Sequence, residues 1–125
     1  MKKTIQIVED DSDIRFILEY LLTDSGYHIQ TFDCIKAFNQ RQRKQDIDLV
    51  MLDVRLPDGS GIDLCKNLKQ DSSMAHVPIM VMSAHASGCS ALDLGKADYF
   101  LAKPFDLDAL VHKIAAVTTT KSFQA

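Results

Sequence analysis

Residues 48–53 read Asp-Leu-Val-Met-Leu-Asp, four consecutive apolar residues between two aspartates. Because no polar residue alternates with the apolar ones, this segment is predicted to be a strand buried on both faces. Residues 78–83, Pro-Ile-Met-Val-Met-Ser, have the same character and predict a second such strand. Strands buried on both faces are typical of a parallel sheet that helices cover on each side.

The flanking sequence predicts three more strands and five helices. The strands are residues 5–8, residues 27–32, whose alternation suits a strand nearer an edge, and residues 99–102. Segments of helical periodicity separate the strands, at residues 12–24, 35–45, 61–68, 91–94 and 106–117. This alternation predicts an α/β fold with right-handed crossovers: a doubly wound five-stranded parallel sheet in a three-layer sandwich.

Local signals place the ends of some elements. Ser12 is predicted to cap the first helix, with Asp11 and Asp13 as alternatives. Gly26 is predicted to end that helix in a left-handed conformation. Residues 58–61, Asp-Gly-Ser-Gly, are interpreted as a turn leading into the third helix. Residues 118–125 are polar and are predicted to fray.

Length and composition limit the classes of protein. The chain has 125 residues, 46% hydrophobic and 25% charged, which is typical of one globular domain with its own core. Fourteen basic against 17 acidic residues give a net charge of −3, which disfavours a nucleic-acid-binding module. No apolar run approaches the ~20 residues of a membrane span.

The cysteines and the start of the chain indicate the compartment. Cys34, Cys65 and Cys89 are odd in number and far apart, so we expect free thiols in a reducing environment. The basic start is interrupted by Glu9 before an apolar signal segment develops. We therefore expect a cytoplasmic protein.

Chemically active residues follow four of the predicted strands. Residues 9–11 (Glu-Asp-Asp) follow the first, Asp53 ends the third, Ser83 ends the fourth and Lys103 follows the fifth. The carboxyl ends of parallel strands meet at one edge of the sheet, where ligands bind in open α/β folds. Taken singly, these residues suit helix caps, turns or solvated side chains, but their convergence at one edge favours a functional site.

The residue types at this edge indicate a particular chemistry. Clustered carboxylates repel each other unless a cation neutralises them, and an all-oxygen site suits Mg²⁺. Zinc is disfavoured because no histidine or cysteine belongs to the cluster. A cation beside Lys103 and the Ser83 hydroxyl would suit a phosphoryl group, and Asp53 is the carboxylate best placed to attack it.

Four segments carry a resemblance to a known family. Residues 7–11, 52–61, 81–84 and 100–105 together resemble the receiver domain of bacterial two-component response regulators. The resemblance covers about residues 3–117. It implies a flavodoxin-like fold with strand order 2-1-3-4-5, a receiver domain at residues 1–118, and a polar tail or the start of a linker at residues 119–125.

The resemblance implies a role for each matching residue. Asp53 would accept a phosphoryl group from a phosphohistidine on a sensor histidine kinase or a histidine phosphotransfer protein. Mg²⁺ would be held by Glu9, Asp10, Asp53 and the backbone carbonyl of Arg55. Lys103 and Ser83 would bind the phosphoryl group, and the Lys103–Pro104 peptide would be cis. The remaining roles are the aromatic switch, assigned to Phe100, and control of phosphoryl lifetime, assigned to Arg55 and His85.

The resemblance also implies partners, and the sequence departs from the family pattern in one region. We expect a downstream protein or output domain, no direct DNA binding by this chain, and a monomer or weak dimer. The stretch from Ser83 to Lys103 is about two residues shorter than usual, and Lys96 stands where the family commonly has glycine. This departure lies in the face formed by the fourth helix, the fifth strand and the fifth helix, which is the family's usual output and dimerisation surface.

Other functions remain as alternatives. A Mg²⁺-dependent phosphatase with an aspartyl nucleophile typically has Asp-x-Asp directly after the first strand and a cap domain, whereas here Glu-Asp-Asp at residues 9–11 follows that strand and the chain is too short for a cap. A flavodoxin-like cofactor binder would be opposed by three acids at its phosphate loop. A degenerate receiver that serves only as a docking module is the third alternative. The preferred interpretation is a signalling module rather than a turnover enzyme, with its kinase, stimulus and output unspecified by the sequence.

Overall fold

The computed structural model of this chain describes residues 2–42, 46–84 and 96–123, with side chains up to residue 119. The predicted fourth helix, His85 and Cys89 lie outside the described residues. In the described part of the chain, none of the helices combines the length and apolar character that crossing a bilayer requires.

The main sheet has five parallel strands. They are β1 (Thr4–Val8), β2 (His28–Phe32), β3 (Leu49–Asp53), β6 (Ile79–Ser83) and β7 (Tyr99–Ala102), in the spatial order β2-β1-β3-β6-β7. The predicted doubly wound sheet and its strand order are therefore confirmed. A short antiparallel hairpin of β4 (Arg55–Leu56) and β5 (Gly59–Ser60) lies between β3 and the next helix, where the sequence predicted only a turn.

Helices cover both faces of the sheet and create two hydrophobic cores. They are α1 (Ser12–Asp24), α2 (Ile35–Asn39), α3 (Gly61–Gln70) and α4 (Leu107–Phe123). One core joins the sheet to α2 and α3 and includes Phe38, Val50, Leu52, Leu64 and Val81. The other joins it to α1 and α4 and includes Ile7, Leu18, Met51, Met80, Met82 and Leu110. Because β3 and β6 contribute to both cores, they are buried on both faces, as their apolar runs predicted.

Two helix boundaries differ from the predictions, and one agrees with them. The cap of α1 is Asp11 rather than Ser12, because the Asp11 side chain accepts hydrogen bonds from the backbone N–H groups of Asp13 and Ile14. Gly26 has a φ of 101°, as predicted for the end of α1. Helix α2 ends at Asn39, so the predicted continuation was wrong for residues 40–42, while residues 43–45 lie outside the described residues.

Helix α4 continues past its predicted end at Val117 to Phe123, so the expected fraying was wrong for residues 118–123, while residues 124 and 125 lie outside the described residues. Thr118 is buried, and its carbonyl oxygen accepts a hydrogen bond from Lys3 Nζ at 2.6 Å. The Thr118 hydroxyl also lies 3.3 Å from the hydroxyl of Tyr27. Lys3 and Tyr27 directly precede β1 and β2, so these contacts lie at the amino edge of the sheet. They hold the helix in place beyond the apolar residues from which its end was predicted.

Candidate functional site

An open cleft of about 280 Å³ lies at the carboxyl edge of the sheet. The predicted site residues that line it are Glu9, Asp10, Asp53, Arg55, Ser83 and Lys103. The convergence inferred from the strand ends is therefore present in the folded chain, and Asp53 is one of the residues that line the cleft.

Lys103 joins two carboxylates within the cleft. Its Nζ atom lies 2.5 Å from Oε1 of Glu9 and 2.8 Å from Oδ2 of Asp53. Glu9 is fully buried and Asp53 is 8% exposed, so these charges have lost most of their hydration. Pairing with the ammonium group offsets the cost of burying them. The pairing also brings together the ends of β1, β3 and β7.

Three carboxylates of the cleft are close enough to share one cation. Glu9, Asp10 and Asp53 each offer an oxygen atom, and these atoms lie within 4.8 Å of one another. Asp10 is exposed, so the cluster opens to solvent on one side. Hard oxygen donors with room for water are the environment that Mg²⁺ prefers, so the residues present fit that ion.

Burial alters the protonation of this cluster. Desolvation raises the pKa of Glu9 to about 7, even though hydrogen bonds from Lys103 and from the backbone N–H of Asp11 oppose the rise. Burial alone would lower the pKa of Lys103, but its hydrogen bonds to Asp53 and Glu9 outweigh burial and raise it. Lys103 therefore stays charged at neutral pH, while Glu9 titrates near neutrality in the metal-free protein.

The loop between β1 and α1 is held by backbone contacts and by one residue that the sequence interpretation missed. Oε2 of Glu9 accepts a hydrogen bond from the backbone N–H of Asp11 at 3.1 Å. Arg15 Nη1 donates to the carbonyl oxygen of Glu9 at 2.9 Å and lies 3.4 Å from that of Asp10. A basic residue one turn into the helix after an acidic cluster was the available signal for this role.

The loop after β3 brings a glycine against the backbone of Asp53. A Cβ atom on Gly61 would lie 1.9 Å from the carbonyl oxygen of Asp53, so no larger residue fits without moving the backbone. Gly61 N–H donates to the carbonyl of Val54 at 2.8 Å, and Arg55 N–H donates to Oδ1 of Asp53 at 3.2 Å. The sequence identified Gly61 only as part of a turn, because the close approach depends on how α3 meets β3.

Ser83 and Phe100 occupy different positions relative to the cleft. Ser83 is buried at the end of β6, and its carbonyl accepts the backbone N–H of Lys103 at 2.9 Å. Phe100 is half-buried in β7 opposite Val81 and is not among the residues that line the cleft. The Lys103–Pro104 peptide is cis, and Lys96 has a φ of 58°, a left-handed conformation that glycine adopts more readily than lysine.

The doubly wound sheet and its edge cleft define a class of α/β domain with an acidic, cation-compatible site that is lined by an aspartate at the end of a central strand. The chain belongs to the receiver-domain family of bacterial two-component response regulators, since the family described as response regulator receiver domain matches residues 5–115.

Curated relatives agree with this assignment. The transcriptional regulatory protein GltR of Pseudomonas aeruginosa is 32% identical over 124 residues, a match that covers 97% of this chain and 51% of GltR. The DNA-binding transcriptional regulator NtrC of Klebsiella pneumoniae is 37% identical over 108 residues, covering 84% of this chain and 22% of NtrC. The chain thus spans about half or less of the length of these relatives.

Solved structures show the same fold. The non-phosphorylated HemR receiver domain of Leptospira biflexa superposes with a TM-score of 0.83 at 31% identity and covers 94% of each chain. A CheY-like receiver domain protein from Methanospirillum hungatei has a TM-score of 0.90 over 100% of both chains. Its 20% identity supports the fold alone.

Proposed function

We propose that this chain is a phosphoacceptor module in which Asp53 receives a phosphoryl group from the phosphohistidine of a sensor kinase or a histidine phosphotransfer protein. The observation that carries the proposal is the position of Asp53, paired with Lys103 inside an open acidic cleft. The module catalyses its own phosphorylation and dephosphorylation, and it acts as a signalling component rather than a turnover enzyme.

Mg²⁺ is the proposed cofactor. Glu9, Asp10 and Asp53 would hold it with the backbone carbonyl of Arg55, and the oxygen-only donor set supports this choice. When bound, the ion neutralises negative charge on the carboxylates and on the incoming phosphoryl oxygens.

Transfer uses residues that already line the cleft. An oxygen of the Asp53 carboxylate attacks phosphorus, the bond from phosphorus to the donor imidazole nitrogen breaks, and the imidazole leaves with that electron pair. The product is an acyl phosphate on Asp53. Lys103 exchanges its contact with the carboxylate for one with a phosphoryl oxygen, and the Ser83 hydroxyl donates a hydrogen bond to another.

Phosphorylation is proposed to change the surface that a downstream protein or output domain binds. Ser83 would move toward the phosphoryl group and Phe100 would follow as the aromatic switch, which biases a two-state equilibrium. Arg55 borders the cleft and, with His85, would set the lifetime of the acyl phosphate. We further propose that the module acts in the cytoplasm, as a monomer or weak dimer, without contacting DNA itself.

An aromatic surface on α1 is the proposed contact for the phosphodonor protein. Phe16 and Tyr20 are 67% and 69% exposed, and their rings stack with centroids 6.4 Å apart. The same helix borders the cleft through Ile14. A partner that covered these rings would bury apolar surface while it presented its histidine to Asp53.

The test is labelling of the purified chain with radioactive acetyl phosphate. We expect Mg²⁺-dependent labelling of the wild type, loss of labelling in Asp53→Asn, and wild-type labelling in Asp63→Asn, which makes the same change at an exposed carboxylate. Labelling that persists in Asp53→Asn or in EDTA would contradict the proposal. Repeated hydrolysis of phosphomonoesters would instead favour the phosphatase alternative.

A second measurement follows the proposed switch. Beryllofluoride, which mimics a phosphoryl group, is titrated with and without Mg²⁺ while amide NMR shifts are recorded. We expect shifts around Asp53, Ser83 and Phe100 that require both reagents. Shifts confined to the immediate neighbours of Asp53 would argue against a coupled aromatic switch.

A further inference from the structure

The side chain of Asp58 connects two parts of the chain that are distant in sequence. Asp58 lies in the turn of the β4–β5 hairpin, and its two carboxylate oxygens each accept a backbone N–H at 2.9 Å, Oδ1 from Ile35 and Oδ2 from Lys36. These hydrogen bonds hold the pKa of Asp58 below its usual value, so the carboxylate is charged at neutral pH. The turn of the hairpin is thereby attached to the start of α2.

The start of α2 also has a cap of its own. Cys34 is the N-cap residue, and its Sγ atom accepts the backbone N–H of Ala37 at 3.4 Å. The helix is anchored in the core by Phe38, which is fully buried. Asp58 therefore attaches the hairpin to a helix that has its own support.

The hairpin carries a residue that borders the phosphoacceptor. Arg55 pairs with Ser60 across the hairpin and donates its backbone N–H to Asp53 at 3.2 Å. The base of the hairpin is held by Gly61 N–H, which donates to Val54, and Leu56 is buried in the core. Two-residue strands have little stability alone, so the orientation of the Arg55 peptide depends on anchors outside the hairpin.

We propose that Asp58 is a positioning residue for the Asp53 site. By attaching the hairpin turn to α2, it orients the Arg55 peptide, whose N–H contacts Asp53 and whose carbonyl oxygen is the proposed cation ligand. This inference rests on the proposed function. Residues that orient metal ligands typically change affinity by about 10–100-fold when removed, and the effect here acts through a short hairpin.

The experiment compares Asp58→Ala and Asp58→Asn with a matched control, Asp63→Ala. Asp63 is an exposed carboxylate in the first turn of α3, so its removal makes the same charge change. We expect Asp58→Ala to weaken Mg²⁺ binding about tenfold in an NMR titration, with a smaller loss in Asp58→Asn and wild-type affinity in Asp63→Ala. Amide hydrogen exchange should accelerate at both Ile35 and Lys36 in Asp58→Ala, at one of the two in Asp58→Asn, and at neither in Asp63→Ala.

Phosphorylation supplies a further readout. Asp58→Ala should be labelled slowly by acetyl phosphate at low Mg²⁺ and recover the wild-type rate at saturating Mg²⁺. Faster exchange at Ile35 and Lys36 with unchanged Mg²⁺ affinity would show that Asp58 only caps the start of α2. That result would overturn the inference that Asp58 positions the Asp53 site. A wild-type chain that is not labelled at all would instead overturn the proposed function, so the two failures are distinguishable.

Discussion

Glu9 illustrates how one buried side chain links stability to the chemistry of the cleft. It is fully buried beside Asp53, and its carboxylate depends on Lys103 for compensation of its charge. The sequence identified Glu9 as a candidate ligand from its position after a strand. Its degree of burial, and therefore its altered protonation, follows from packing that only the folded chain provides.

The first prediction concerns pH and the metal-free protein. The pKa of Glu9 is raised from 4.5 to about 7, so the folded chain binds this proton more tightly than the unfolded chain does. The resulting stabilisation is complete below pH 4.5 and is lost as pH rises through 7. Relative to Glu9→Gln, the wild type should lose about 2 kcal/mol of unfolding free energy between pH 5 and pH 8 in EDTA.

Urea denaturation of both proteins at a series of pH values measures this difference, and contributions that the two proteins share cancel in the comparison. Mg²⁺ binds the ionised carboxylate, so the stabilisation that it provides to the wild type should grow from pH 6 to pH 8. Parallel stability curves for the wild type and Glu9→Gln would show that Glu9 does not titrate in this range.

The second prediction concerns Gly61. Replacing it with alanine forces the backbone away from Asp53, so Gly61→Ala should destabilise the chain by about 3 kcal/mol and slow labelling of Asp53. Gly26→Ala is the control, because Gly26 has a positive φ but no atom within 4 Å of an added Cβ. It should cost only about 1–2 kcal/mol and leave labelling intact. Equal losses in the two variants would refute a steric role for Gly61.

At the level of elements, strands were easier to predict than helix ends. The runs in β3 and β6 are apolar throughout, and burial on both faces follows from that pattern alone. The ends of α1 and α4 depend on which side chain reaches a free N–H group and on contacts with distant residues such as Lys3. Periodicity carries no information about those contacts.

The third prediction separates the two candidate caps of α1. Asp11→Ala should lower the unfolding free energy by about 1 kcal/mol, because two backbone N–H groups lose their acceptor. Ser12→Ala, at an exposed position inside the first turn, should change it by less than about 0.5 kcal/mol. Chemical denaturation of both variants measures the difference, and a larger loss in Ser12→Ala would reverse the assignment.

At the level of the whole molecule, one hydrophobic core lies on each face of the sheet, and the last described side chains of α4 include two that are buried. Val117 is 4% exposed and packs in the core shared by α1 and α4, while Thr118 is 2% exposed. These residues stand at the proposed end of the receiver domain. Their burial makes that boundary testable.

The fourth prediction concerns this boundary. A chain of residues 1–118 should unfold with the free energy of residues 1–125, because it retains Val117 and the contacts of Thr118. A chain of residues 1–116 should lose about 3 kcal/mol, from apolar burial and hydrogen bonds together. Thermal and urea denaturation of the three chains measure these differences in unfolding free energy. Equal instability of the two shorter chains would place the boundary later.

The sequence by itself determined the alternation of strands and helices and the residues that end each strand, because hydrophobic pattern and strand polarity are local properties. It therefore predicted Glu9, Asp53, Ser83 and Lys103 at one edge of the sheet. Only the tertiary structure decided that Asp58 attaches the hairpin to α2 and that Gly61 lies against Asp53. These roles depend on backbone groups that no residue pattern encodes, since distant segments meet only after the chain has folded.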